Sequence, residues 1–279
     1  MSEEQEMIID CYSTLQEFLN TQKCFADIRK KRKKTEKQIE TERIFTSSVR
    51  VKKNPHYTVP NFPEKWRKYL EPAQSLIEDA ISFVNEQIDD GNFINPPNDK
   101  LFRAFELIKP KNVKVIIFGQ DPYPKPGAAN GLAFSCDGPV QNSLQNIFTE
   151  INNEYGSKPS SGNLERWSTE EGVLLLNSCL TVNQNDPGSH GKCWTPTIVK
   201  IMEKFFRKKL PVVIVLLGAQ AKVFFEKAKF SYSQDKTEIV TAGHPSSRNA
   251  SNPFIGSGVF KRVNRRLKKL GLEKVNWTD

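Results

Sequence analysis

Three polar residues stand at or just past the ends of apolar, β-branched runs. Asp121 follows Val113–Phe118 by three residues, Asn177 closes Val173–Leu176, and His244 comes two residues after Glu238–Ala242. Such runs read as buried strands of a parallel sheet. In open α/β sheets, ligands bind in the crevice beyond the carboxyl ends of the strands. A carboxylate, an amide and an imidazole that meet there suit chemistry needing neither a metal nor an activated Ser or Cys. Each residue also has an ordinary reading. Asp121-Pro122 is common turn chemistry, Asn177 can cap a strand end, and His244 can be a satisfied turn histidine.

The elements that would position them are legible from periodicity. Phe62–Tyr69 reads as a helix anchored by Trp66. Pro72–Asp89 reads as a second helix, with Leu76, Ile77, Ala80, Ile81, Val84 and Ile88 on one face. A short helix over Lys100–Leu107 leads into the Val113–Phe118 strand. Gln141–Tyr155 is helical, with Leu144, Ile147, Phe148 and Ile151 inward. Beyond the Val173–Asn177 strand come a helix over Thr195–Lys208, a strand over Val212–Leu217 and a helix over Ala219–Phe230. A last strand, Glu238–Ala242, feeds His244, and a basic helix over Val259–Leu270 closes the chain. Strands alternating with helices imply an α/β fold of three layers: a central, mostly parallel four-stranded sheet with helices on both faces.

The first 61 residues read differently. Ile8, Cys11, Leu15, Phe18 and Leu19 fall near helical spacing, so a short amphipathic helix is expected there, docked on the domain or binding a protein partner. Arg29-Lys30-Lys31-Arg32-Lys33-Lys34 is a run of six consecutive basic residues, a solvated segment or a nuclear-import or nucleic-acid patch. Residues 35–61 read as linker. The expected division is therefore a 1–61 extension and a 62–279 domain.

Composition narrows the chemistry. The chain carries 41 Lys+Arg against 32 Asp+Glu, a formal +9, which suits a polyanionic partner. Its five cysteines form no CxxC pair and read as free thiols of a reducing compartment. The three histidines form no HxH or HExxH pattern, so no metal site is expected. No apolar run reaches the ~18 residues of a membrane span. The acidic start, Met1-Ser2-Glu3-Glu4, argues against a secretory or mitochondrial presequence.

Three stretches, in order, carry a resemblance. Gln120-Asp121-Pro122-Tyr123-Pro124 with Gly131-Leu132-Ala133-Phe134-Ser135 resembles the first motif of the family 1 uracil-DNA glycosylases. Leu174-Leu175-Leu176-Asn177 with Leu180-Thr181-Val182 resembles the strand carrying that family's uracil-reading Asn. His244-Pro245-Ser246-Ser247 resembles its DNA-wedge loop. The similarity runs from about Phe62 to the C-terminus.

The resemblance implies a DNA-repair enzyme that hydrolyses the bond between uracil and deoxyribose, flips the base out of the duplex and leaves an abasic site. It implies no cofactor, no metal and no lyase lysine. Asp121 would orient water and support the sugar cation, and His244 would donate to the uracil O2. Asn177 would pair with uracil, Tyr123 would wall off the thymine methyl, Phe134 would stack on the base, and Gln120 would line the pocket. Ser143, Ser189, His190, Ser246 and Ser247 would meet DNA phosphates; they are equally ordinary loop residues. Phe134 in turn can be plain core packing.

This sequence departs from the family pattern in three places. Pro124 replaces the usual His that ends the first motif, Gly138-Pro139-Val140 replaces a proline run, and Ser247-Arg248 replaces Pro-Leu, putting Arg248 at the wedge. A monomer acting in the nucleus, or in a viral replication compartment, is expected. A catalytically weakened DNA-binding scaffold of the same fold is the alternative.

Overall fold

The structure, a computed structural model, describes residues 55–246 and 254–279. The expected amphipathic helix and basic run of the extension lie outside the described residues, as do Ser247 and Arg248. In chain order the described residues form α1 (Arg67–Leu70), α2 (Gln74–Asp89), β1 (Ile94–Asn95), α3 (Arg103–Glu106), β2 (Val115–Gly119), α4 (Asn142–Tyr155) and α5 (Glu165–Thr169). There follow β3 (Val173–Asn177), β4 (Val182–Asn183), α6 (Gly191–Phe206), β5 (Val212–Leu217), α7 (Ala219–Ala228), β6 (Thr237–Ala242) and α8 (Val259–Lys269).

The central sheet has four parallel strands in the order β3-β2-β5-β6. Every residue of β2, β3 and β5 is buried, so both faces of these strands are covered, and that is why their sequences are unbroken apolar runs. β6 lies at an edge, where Ile239 is exposed. From β2 the chain moves to β3 on one side. It then returns past β2 to β5 on the other. This reversal opens a crevice at the carboxyl ends of β2 and β5.

Local details depart from the sequence pattern where distant contacts intervene. Trp66 is fully buried and donates its indole N–H to the Ile108 carbonyl at 2.7 Å, while the ring stacks on Phe205. It anchors as expected, but helix α1 starts only after it, because Pro63–Trp66 is a hydrogen-bonded turn. Helix α6 begins four residues before the expected Thr195. Pro196 therefore lies inside it, and the Thr195 hydroxyl donates to the Gly191 carbonyl at 2.7 Å. The antiparallel pair of β1 with β4 was not signalled by either two-residue strand.

The domain also starts before Phe62. Tyr57 is buried, its backbone N–H donates to Asn85 Oδ1 at 2.7 Å, and Asn85 Nδ2 donates back to the Tyr57 carbonyl at 3.0 Å. Residues assigned to the linker by composition are thus clamped on α2.

Candidate active site

The register that pairs Gly119 with Asn177 brings the ends of β2 and β3 level. A Cβ on Gly119 would lie 2.1 Å from Asn177 Oδ1, so only glycine lets the amide lie across the strand end. Asn177 is 4% exposed, yet no hydrogen bond among the described residues engages its side chain. Buried amides ordinarily find partners. An amide without a partner among the described residues keeps both its donor and its acceptor available.

Asp121 sits two residues past β2, half-buried. Its Oδ2 accepts the Gly188 backbone N–H at 2.5 Å. Burial raises its pKa above the ordinary carboxylate value, and the Gly188 amide opposes that rise. The segment around it is braced from a distance: Asn95 Nδ2 donates to the carbonyls of Tyr123 (3.1 Å) and Lys125 (2.9 Å). Asn185 N–H donates to the Pro124 carbonyl at 3.0 Å. Gln120 is exposed, with its amide nitrogen beside Gly188.

Phe134 has a left-handed backbone, φ +63°, which costs an L-residue about 1–2 kcal/mol. The Tyr123 hydroxyl donates to its carbonyl at 3.0 Å and holds that conformation. Burial raises the Tyr123 pKa, which keeps the hydroxyl a donor. The Phe134 ring lies 6.2 Å from the His244 ring, centroid to centroid, tilted by 48°. Tyr123, Phe134 and His244 therefore share one end of the crevice.

His244 is carried there by β6 and fits because Gly218, at the end of β5, has φ +90° and no side chain. A Cβ on Gly218 would lie 2.7 Å from that of His244. The Ser246 backbone N–H donates to His244 Nδ1 at 3.0 Å. With Nδ1 accepting, the neutral ring carries its proton on Nε2. Burial lowers the His244 pKa and favours that neutral form. The imidazole thus presents an N–H donor.

The expected phosphate-binding residues divide. Ser143 is the second residue of α4, and Ser246 is half-buried beside His244. Ser189 Oγ accepts the Asn183 N–H at 2.9 Å and stays partly exposed. His190 turns its ring inward. Its ring is buried, with Nδ1 2.8 Å from the Thr181 hydroxyl and Nε2 2.8 Å from Asn183 Oδ1. Trp194 Nε1 donates to that same hydroxyl at 2.6 Å, so Thr181 donates in turn to Nδ1. Burial lowers the His190 pKa to about 4. Both ring nitrogens are committed to the interior, and no phosphate can reach them without breaking that network.

Two contributors were not found in the sequence. Gly188 closes the turn run Asn185-Asp186-Pro187-Gly188; the run was visible, but its amide's partner lies 67 residues away. Asn146 lies on α4, and its Nδ2 donates to the Pro245 carbonyl at 2.7 Å. Nothing in a helical amide's own neighbourhood points to that contact. No cluster of three or more His, Cys, Asp or Glu able to hold a metal ion occurs among the described residues.

Comparisons with known proteins identify the family and the fold. The family profile of the Uracil DNA glycosylase superfamily matches residues 105–268. Uracil-DNA glycosylase of Azobacteroides pseudotrichonymphae is 40% identical over 220 residues, covering 77% of this chain and 97% of that protein. The enzyme of Bacillus pumilus is 41% identical over 186 residues, covering 65% and 80%. The crystal structure of mimivirus uracil-DNA glycosylase shares the fold, with a TM-score of 0.69, 24% identity, and coverage of 78% of this chain and 87% of that one. Matched by the family profile over more than half of its length, and 40% identical to a relative that it covers almost end to end, the chain belongs to the Uracil DNA glycosylase superfamily.

Proposed function

We propose that this uracil-DNA glycosylase divides its reaction among Asp121, Asn177 and His244. As the N-glycosidic bond lengthens, the sugar gains positive charge, as in other glycoside hydrolyses. The Asp121 carboxylate supports that charge and orients the attacking water. The leaving pyrimidine takes up negative charge on O2, and the His244 Nε2–H donates to it as that charge develops. A neutral imidazole suffices, because what is needed is a fixed donor rather than a proton transfer. Asn177 pairs with the uracil O4 and N3–H. Cytosine would leave both amide groups mismatched, which is costly in a buried site. Tyr123 excludes the thymine methyl and Phe134 stacks on the base.

The observation that carries this reading is the hydrogen bond from Ser246 N–H to His244 Nδ1, which leaves the proton of the neutral ring on Nε2 as a donor. Base flipping is part of the same reading, since an enzyme that works on a base inside a duplex must first extrude it. Ser143, Ser189, Ser246, Ser247 and Arg248 are the proposed DNA contacts, with Gln120 on the pocket lining. Phosphate contacts of this kind position DNA without reading its sequence.

The monomeric state and the 1–61 segment as a basic arm for DNA or a protein partner are part of the same proposal. The relatives named above are bacterial, so a nuclear location rests on the Arg29–Lys34 run alone.

The test is a uracil-containing oligonucleotide treated with the protein and then with alkali. Strand scission at uracil, and none at cytosine or thymine, supports the reading. Tight DNA binding without scission supports the scaffold alternative.

A further inference from the structure

The active-site face of α4 carries three polar side chains at i, i+4 and i+8: Asn146, Glu150 and Glu154. That spacing places them in one stripe, which borders the apolar residues Leu144, Ile147 and Ile151 that bury the helix. All three point to chain more than ninety residues further on. Glu150, 1% exposed, accepts the backbone N–H groups of Gly256 (2.6 Å) and Gly258 (2.7 Å), and the Ser257 hydroxyl at 3.3 Å. Glu154 accepts the N–H groups of Phe260 at 3.0 Å and of Lys261. These belong to the first turn of α8, whose amides have no partner within their own helix. The two carboxylates therefore lock α4 to the start of α8.

The third member of the stripe reaches the reaction centre. A carbonyl can only accept, so the Asn146 amide nitrogen faces Pro245 O. The peptide unit that bears this carbonyl has the Ser246 N–H at its other end, and that N–H donates to His244 Nδ1. A hydrogen bond accepted at the oxygen of a peptide polarises it and strengthens donation from its nitrogen. The connected path runs from the Asn146 amide, through the Pro245–Ser246 peptide and His244 Nδ1, to the Nε2–H.

We propose that Asn146 is a positioning residue for His244, orienting the Pro245–Ser246 peptide so that the imidazole holds a single Nε2–H tautomer aimed into the crevice. Its anchorage comes from Glu150 and Glu154, which fix α4 against α8. This rests on the role assigned above to His244. Asn146 touches neither substrate nor reacting atoms, so its removal acts on turnover through the imidazole.

The experiment uses the full chain with Asn146→Leu, an uncharged near-isostere that cannot donate, and Asn146→Ala as a second, smaller variant. With only three histidines in the sequence, 15N-histidine labelling resolves each ring. His190, held by Thr181 and Asn183, and the exposed His56 serve as internal references. At neutral pH the wild-type His244 signals should report a protonated Nε2 and an unprotonated Nδ1. In both variants they should move toward a tautomer mixture, with the His190 and His56 signals in place. kcat on duplex DNA containing uracil should fall about tenfold, with KM within about twofold, as for removal of a partner that orients a functional group. His244→Ala, measured alongside, tests the underlying role: if it leaves kcat intact, that role fails, while the ring signals of the Asn146 variants still report whether Asn146 holds the imidazole. Wild-type His244 signals in both variants would overturn the proposal, whether or not kcat falls.

Discussion

His190 and His244 are both displaced from water and both have lowered pKa values, yet they do opposite work. His190 uses each ring nitrogen on an internal partner, Thr181 on one side and Asn183 on the other. His244 uses one nitrogen on the Ser246 amide, and its other nitrogen has no hydrogen-bond partner among the described residues. The same contrast separates two asparagines and two aspartates. Asn183 accepts from His190 and donates to Gln87 Oε1 at 3.1 Å, whereas the Asn177 amide has no partner among the described residues. Asp137 is held by Lys100 at 2.6 Å, with Asn130 and Asn163, and its pKa is lowered although burial alone would raise it. Asp121 has backbone donors, no cation among its partners in the described residues, and a raised pKa. One set of side-chain types closes loops, while the other keeps hydrogen-bonding capacity in reserve. On the proposed reading, reserved capacity, rather than residue type or burial, is what sets Asp121, Asn177 and His244 apart.

The sharpest way to break this contrast is through the aspartates. Asp121→Asn should lower kcat by about a thousandfold, since it removes a charge that matters most in the transition state, while DNA affinity persists. Asp137→Asn should leave kcat per folded molecule unchanged and lower stability by no more than about 1 kcal/mol, because its ion pair is partly exposed. Single-turnover excision and urea melts on both variants settle it. Comparable kcat losses would erase the distinction.

The histidines come next. His244→Ala should lower kcat about a hundredfold with little change in the unfolding midpoint. His190→Gln should keep kcat in the folded fraction and lose about 1–3 kcal/mol of stability, because Thr181 and Asn183 lose their partners.

Acid should act on His190 in a predictable direction. Its folded pKa, about 4, lies below the unfolded value of about 6.5, so between these pH values the unfolded chain binds more protons. Stability should therefore fall as pH drops from about 6.5 toward 4, by roughly 3 kcal/mol in total from this group. His190→Gln should flatten that part of the curve; an unaltered slope would remove His190 as its source. The raised pKa of Asp121 acts separately on activity. Excision should decline on acidification at a pH above the ordinary carboxylate range, as the carboxylate is neutralised.

The smallest expected contrast concerns the asparagines. Asn177→Asp should reduce discrimination between uracil and cytosine about tenfold, since an amide donor becomes an acceptor. Asn183→Asp should leave pyrimidine choice alone. If Asn177→Asp discriminates as well as wild type, the amide is not the base reader.

By itself, the sequence determined the repeating elements and the residues at their ends. Unbroken runs such as Val115–Phe118 and Val212–Leu217 read as strands buried on both faces, and Ile77, Ala80, Ile81, Val84 and Ile88 read as one face of a helix, as the structure has them. These are properties of neighbours along the chain, so periodicity exposes them. Asp121, Asn177 and His244 were legible for the same reason, as polar residues placed where apolar runs stop.

Tertiary structure decided what those residues can do, along with the strand order, the start of the domain before Phe62 and the inward turn of His190. Hydrogen-bonding capacity is used up by partners far away in sequence. Gly188 lies 67 residues from Asp121, and Pro245 lies 99 residues from Asn146. His190 and His244 are the same residue type, and only the packing of distant segments fixes which imidazole is satisfied and which is left a free donor.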